Sequence, residues 1–449
     1  MSDLFSALSR TAFSLDAHRA GLDVVGQNLA NVNTPGYTRR MIALEEIPPP
    51  DLRGTGGGVD VLAVTAARTP LLDARLYREA PTASREAAVA DQLAVVEAGL
   101  GMPGASLDAS LTAFFDAFAT LAGDPGSTVS RQLVTVQGQS LSLAFQDVAR
   151  RLDQSQHDVD LDLRSITNEV NALASTIASL NAAIATSPGS TDVLKDQRAN
   201  ALSSLANLID IDVTSQEDGV NVAVGDGRAL VAGANTYEID VASAPPQGFA
   251  HVFSGSTDIT AEITGGRIGG QLLVRDTLIP GYLQRLDELA VQVVNEVNTL
   301  HSAGYDLNGT TGVDFFVTPS VTAGAAAGMA MNAAVAADTD AIAAARISAA
   351  GDNQVARAIA ELRNGSPSAT EGWATLLNRV GTDRRSAMSE RAVREDVMHQ
   401  IESLRSQVSG VSVDEEAAMM LRFQRAYEAN ARFFRVVDNL LDVLLSSVG

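Results

Sequence analysis

Cysteine is absent from all 449 residues, which removes disulfides, zinc–thiolate sites and thiol nucleophiles together. Aromatic residues make up only 4%, and alanine is abundant, so the core is expected to be helical and packed by small aliphatic side chains. Positive charge is also short. Against 54 acidic residues there are 32 basic ones, and the net charge of −22 excludes nucleic-acid binding, which needs a basic stripe. No run approaches the roughly eighteen apolar residues of a membrane helix. The nearest, from Thr322 to Ala350, is interrupted by Asn332, Asp338, Asp340 and Arg346, so no membrane insertion is expected. A cleaved signal peptide is not expected either, because Arg10, Asp16, Arg19 and Asp23 break the first helix and no basic segment precedes it.

Recognisable chemistry is missing as well. His18, His157, His251, His301 and His399 are scattered without metal-ligand spacing. There is no Gly-x-Ser-x-Gly elbow and no HExxH pair. The run from Gly265 to Gly270 lacks the Lys-Ser/Thr ending of a phosphate loop and reads as a joint between domains. Asp158, Asp160 and Asp162 alternate along a helix, which scatters them over its surface. These absences predict no catalytic residue, no cofactor and no metal.

What is present is helical seam. The 46% hydrophobic content suits a folded chain of two to four domains. Leu8, Leu15, Leu22 and Leu29 recur every seven residues, interleaved with Leu4, Thr11, His18, Val25 and Val32. That is the spacing of a coiled coil. The helix is predicted to stop near Asn31, because Asn33-Thr34 precedes a proline, and Pro35-Gly36 fits the centre of a tight turn before Tyr37. At the other end, Ser412 and Glu415 are spaced as a capping box directly after Gly410. Beyond them Met420, Phe423, Tyr427, Phe434, Leu441 and Leu444 lie on one apolar face. Two seamed helices with no local neighbour are expected to pack on each other.

Between the ends, Thr38–Ile47 and Val59–Thr65 read as strands, separated by Pro48-Pro49-Pro50 and a Gly54–Gly58 joint. Helices are expected from Ser84 to Leu100, Ser106 to Leu121, Thr128 to Thr186, and from a Thr191-Asp192 cap to Leu208. In the longest, Val159, Leu163, Ile166, Val170, Leu173, Ile177, Leu180 and Ile184 keep strict four-three spacing. Short β-type runs occupy 211–263. Helix resumes over 270–300, 352–364 and 370–409, with a turn-rich break after His301 and no assignable pattern over 318–350.

The run NLANVNTPGYTRR near the start resembles the asparagine-rich turn closing the first helix of bacterial flagellar rod, hook and hook-associated proteins. Three further stretches extend the resemblance in the same order: DQRANALSSLANLIDI with GVNVAVGDGRALVAG, VNTLHSAGYDLNG, and VSVDEEAAMMLRFQRAYEANARFFRVVDNLL. The internal pair is similar to the hook-associated proteins that form the hook–filament junction. The resemblance implies a mainly α fold with an inserted β-rich domain: paired coiled-coil terminal helices as an inner tube, a second layer of long helices, and a small outer β-domain. On that scheme 1–60 and 411–449 form the inner layer, 61–210 and 270–410 the long-helix layer, and 211–269 the outer domain. The compact middle implies that an additional outer domain of some relatives is missing.

The function so implied is a non-enzymatic structural adaptor joining hook to filament. Its implied partners are the hook subunit, a second junction protein and copies of itself in a ring or helical assembly. An export chaperone would cover residues 411–449, delivery would leave the chain uncleaved, and the final location would be the extracellular flagellum. The alternatives are another axial subunit of hook or distal rod, or an adhesin or enzyme displayed on the flagellar surface. Ordering about thirty helical residues costs roughly 30–60 kcal/mol, more than a single seam returns, so both termini are expected to be mobile in the free subunit.

Overall fold

In the computed structural model, residues 2–48, 57–101, 107–216, 219–245, 248–349, 351–365 and 367–448 are described. Pro49, Pro50, the first part of the Gly54–Gly58 joint and the Ser106 start lie outside them. The chain is mainly helical, with small antiparallel sheets, and divides into two compact units. The first comprises Met1–Pro81, Val170–Glu238 and Arg394–Gly449; the second comprises Thr82–Glu169 and Ile239–Val393.

In the first unit, α1 (Ser2–Ala30) and α11 (Val413–Val448) pack along one another. An antiparallel ribbon, β1 (Arg40–Ile47) and β2 (Gly58–Ala66), lies against α1, with Gly58 close to the Arg10 backbone. The helix α2 (Pro70–Leu100) begins well before the expected Ser84 and carries Pro81 inside it. The helix α4 (Thr128–Thr186) has the predicted limits, and its last part belongs to this unit. Following it, α5 (Asp192–Leu208) begins at Thr191, whose hydroxyl makes no cap bond. A four-stranded sheet then follows: β3 (Ile211–Gln216), β4 (Gly219–Val224), β5 (Arg228–Ala232) and β6 (Asn235–Thr236). Asn181 of α4 clamps this sheet, donating to the Val220 and Gly233 carbonyls and accepting from the Val220 amide.

The β-type run expected as one piece over 211–269 is divided. Strands β7 (Ile239–Ser243), β8 (Ala250–Ser254) and β9 (Thr257–Asp258) form a separate three-stranded sheet in the second unit. The glycine run is no joint: it enters α6 (Gly266–Leu273), and Gly270 packs so closely on α2 that a Cβ would lie 2.7 Å from the Arg85 carbonyl. Asp160 is buried rather than solvated, accepting from the Ala250 amide at 2.6 Å and from Arg275 at 2.7 Å.

The second unit holds a large core. It is built by α2, α3 (Leu107–Gly123), α4, α7 (Ile279–Ser302), α9 (Gln354–Glu361) and α10 (Ala369–Ser409), with α8 (Ala333–Ala337) between α7 and α9. Phe114, Phe118, Phe315 and Phe316 meet mostly edge-to-face at its centre, an arrangement favoured by the ring quadrupoles. The unassignable stretch 318–350 contributes Ala326, Met329, Val335, Ile342 and Ala344 to that core. Short turns and two isolated bridges pair part of its backbone, and helix side chains pair several of the remaining groups. Asp287 accepts from the Gly324 and Ala326 amides, Gln146 donates to the Met329 carbonyl, and Arg131 donates to the Ile342 carbonyl. Irregular buried backbone is affordable only with such partners.

Candidate functional site

The terminal helices meet along a seam one position away from the leucine repeat. On α1 the most buried residues are Thr11, Ala17, Gly21, Val24, Val25 and Asn28; Leu8, Leu15, Leu22 and Leu29 are half-buried. Gly21 receives the ring of Phe423, and a Cβ there would lie 2.8 Å from three ring carbons. On α11, Phe423, Val437 and Leu441 are buried with Glu416, Met420 and Phe434 are half-buried, and Tyr427 and Leu444 are exposed. A second stripe on α11, made by Phe433, Val436, Leu440 and Val443, is exposed in the single chain.

The turn after α1 is a type II turn. The Tyr37 amide donates to the Thr34 carbonyl at 3.1 Å, and Gly36 sits at φ 74°, the left-handed region that type II requires at its third position. Space is restricted there too, since a Cβ on Gly36 would lie 1.9 Å from Oδ1 of Asn200. Asn31 closes α1 by donating to the Gln27 carbonyl and accepting from the Thr34 hydroxyl, while Asn33 is solvent-exposed.

That turn delivers Tyr37, Thr38, Arg39 and Arg40 into a polar knot that the sequence reading missed. Asn28, 1% exposed, uses all four hydrogen-bonding positions of its amide. Its Oδ1 accepts from the Arg40 amide and the Tyr37 hydroxyl, each at 2.8 Å. Its Nδ2 donates to the Arg40 carbonyl at 2.9 Å and to Glu416 Oε2 at 3.1 Å. Arg39 binds Glu416 at 2.7 Å through Nε and Glu415 at 2.8 Å through Nη1. Asp196 on α5 accepts from Thr38 at 2.8 Å and from Arg40 and Arg68 at 2.5 Å each. Three arginines thus face three carboxylates, so the buried charges are compensated in place. Burial pushes the Tyr37 phenol up, keeping its proton available for Asn28.

The capping box is therefore half formed. The Glu415 amide donates to the Ser412 hydroxyl at 3.4 Å, but the Glu415 carboxylate turns to Arg39 instead of back to the cap. One consequence is that the first turn of α11 is held by residues following α1. Nothing in this knot resembles a reaction centre. Among the described residues no three His, Asp or Glu side chains group as metal ligands, and no helix is long and apolar enough to cross a membrane.

Comparison with known proteins assigns these regions. Residues 14–38 match the family model described as flagella basal body rod protein. Residues 93–316 match the flagellar hook-associated protein FlgK helical domain, and residues 405–447 match the flagellar basal body rod FlgEFG protein C-terminal region. Full-length relatives agree: flagellar hook-associated protein 1 of Bacillus subtilis is 26% identical, with 100% of this chain and 99% of that protein covered. The chain belongs to the flagellar hook-associated protein family. Flagellar hook-associated protein 1 of Escherichia coli is 22% identical over 98% of this chain and 100% of its own length. That alignment runs to 546 positions, more than the 449 residues present here, so the relative carries insertions that this family member lacks. The fold is that of the flagellar hook junction protein FlgK from Burkholderia pseudomallei, which is 17% identical, with a TM-score of 0.66 over 75% of this chain and 100% of that one. Within the family's terminal regions lie α1 with its turn and α11, the elements that the knot joins.

Proposed function

We propose that the protein is a non-enzymatic adaptor seated between hook and filament in the extracellular part of the flagellum. The observation that carries this reading is the joining of the two termini. Asn28 and Glu416, 388 positions apart, bond directly, so α1 and α11 act as one two-helix element. One side of that element is used within the chain. The half-buried Leu8, Leu15, Leu22 and Leu29 and the exposed Phe433, Val436, Leu440 and Val443 remain for neighbours. Exposed apolar stripes of this length favour association. On this reading 1–60 and 411–449 form an inner tube with copies of the same chain, while the longer helices and the sheets carry side-to-side contacts. Axial neighbours are the hook subunit and a second junction protein. A chaperone covers 411–449 before export and takes the apolar stripe of α11 as a helix in a groove.

The test is Leu22→Asp. A carboxylate at a helix contact buried by a neighbour costs several kcal/mol per subunit, on the order of an uncompensated charge, and the penalty repeats around a ring. The expected phenotype is intact hooks, secreted flagellin, no filaments and lost motility. Normal filaments on Leu22→Asp cells would overturn the reading.

A further inference from the structure

In the first unit, α2 and α5 face each other across a cavity of about 170 Å³, and its walls follow from helical spacing. Asp73 and Tyr77 lie one turn apart on α2, and Lys195 and Arg198 lie one turn apart on α5, with Arg68 entering from the chain before α2. Leu202 and Val220, both buried, make the floor apolar.

Two of the cations on this cavity lack the carboxylate partners that the knot supplies to its arginines. Lys195 is the only lysine in the sequence, and among the described residues its ammonium has no hydrogen bond or ion pair. Arg198 donates to the neutral amide oxygen of Asn181 at 2.8 Å, so no carboxylate holds it. Burial first, and then the nearby Arg68 charge, push the Arg198 guanidinium down. Arg68 is shared with Asp196 and the Asp192 carbonyl, but its Nε is buried without a partner. The single lining carboxylate, Asp73, is engaged by Arg405 at 3.2 Å. In a chain of net charge −22, two of the three cations lining this cavity, Lys195 and Arg198, have no carboxylate partner, and Arg68 keeps one N–H unpaired beside its bond to Asp196.

We propose that this cavity binds a carboxylate carried on a short apolar stem. Arg198, Lys195 and the free Nε of Arg68 would take the carboxylate through charge-assisted bonds, and Leu202 and Val220 would receive the stem. A volume of about 170 Å³ leaves room for a four-carbon acid. Such a group comes either from a free aliphatic acid or from an Asp or Glu side chain of a second copy.

The single lysine makes the test direct. The full chain, labelled with carbon-13 at lysine Cε, gives one lysine signal, that of Lys195. It is titrated with sodium butyrate, sodium phosphate or sodium chloride at equal ionic strength. The expected result is a saturable shift with butyrate alone. A shift present without butyrate at high protein concentration, and lost on dilution, also supports the site and assigns its carboxylate to a second copy. Arg198→Gln, which can still donate to Asn181, is expected to weaken binding by at least about tenfold. Lys195→Gln should lose the rise in melting temperature that butyrate gives the unaltered chain. A non-saturating shift matching that of chloride, saturation by phosphate in place of butyrate, or unchanged affinity in Arg198→Gln would each overturn the proposal.

Discussion

Removing the Asn28 side chain tests whether the knot holds the termini together. In Asn28→Ala, the Arg40 amide and carbonyl both lose their partner in a site where Arg40 is 4% exposed. Each buried orphan costs about 1–3 kcal/mol, giving about 2–6 kcal/mol for the two. Glu416 keeps Arg39, and the Tyr37 hydroxyl is only partly buried, so both can re-pair. Whole domains are stable by about 5–15 kcal/mol, so the loss should open the turn and the start of α11 before it unfolds the unit. Amide exchange reads this opening at Arg40, whose N–H is held by Asn28. Even 2 kcal/mol would speed exchange by about thirtyfold. Asn28→Asp should be worse at neutral pH, because it sets a carboxylate oxygen where an N–H now meets Glu416 at 3.1 Å. Protonating the pair in acid should return part of the loss. Unchanged Arg40 exchange in Asn28→Ala, or Asn28→Asp as stable as the unaltered chain at pH 7, would refute the reasoning.

Gly36→Ala should lower the melting temperature through both the positive φ, worth about 1–2 kcal/mol, and the collision with Asn200; pairing it with Asn200→Ala should recover only the second part. His301 accepts from the Ala343 amide through Nε2 and bonds the Val313 carbonyl through Nδ1, and burial depresses its pKa below the ordinary 6.5. The unfolded chain therefore takes up the proton first, and stability should fall as pH drops below about 6.5; denaturant melts should show this slope, and His301→Ala should flatten it while lowering stability at pH 8. Amide exchange on the free subunit should be fast at Leu15 and Leu441 and slow at Arg40; strong protection at Leu15 would show that the seam needs no neighbour. Deleting residues 411–449 should abolish capture of the export chaperone, and undiminished capture would place its site elsewhere.

Local signals in the sequence determined the elements. Much of α4 is legible in the four-three apolar spacing over 159–184, and the type II turn follows from Pro35-Gly36, because the pyrrolidine ring fixes φ at Pro35 and glycine admits the positive φ that the next position requires. The mainly helical class likewise follows from composition and periodicity. Tertiary structure alone decided which face of α1 is inside. A helix carrying Leu8, Leu15, Leu22 and Leu29 beside Thr11, Val25 and Asn28 offers two adjacent seams, and the ring of Phe423 selects the one containing Gly21, where a glycine leaves room. The same holds for the knot. Glu416 and Asp196 read as ordinary surface acids, since nothing near them in sequence differs from a solvated helix. Their burial depends on arginines and an amide delivered by a turn more than 150 residues away, and a charge can be buried only where folding has brought its partners. The stretch 318–350 had no period to read for a related reason: it is built of short turns and isolated bridges, and Asp287, Gln146 and Arg131 on distant helices hold several of its backbone groups, so no regular element imposes a pattern on it.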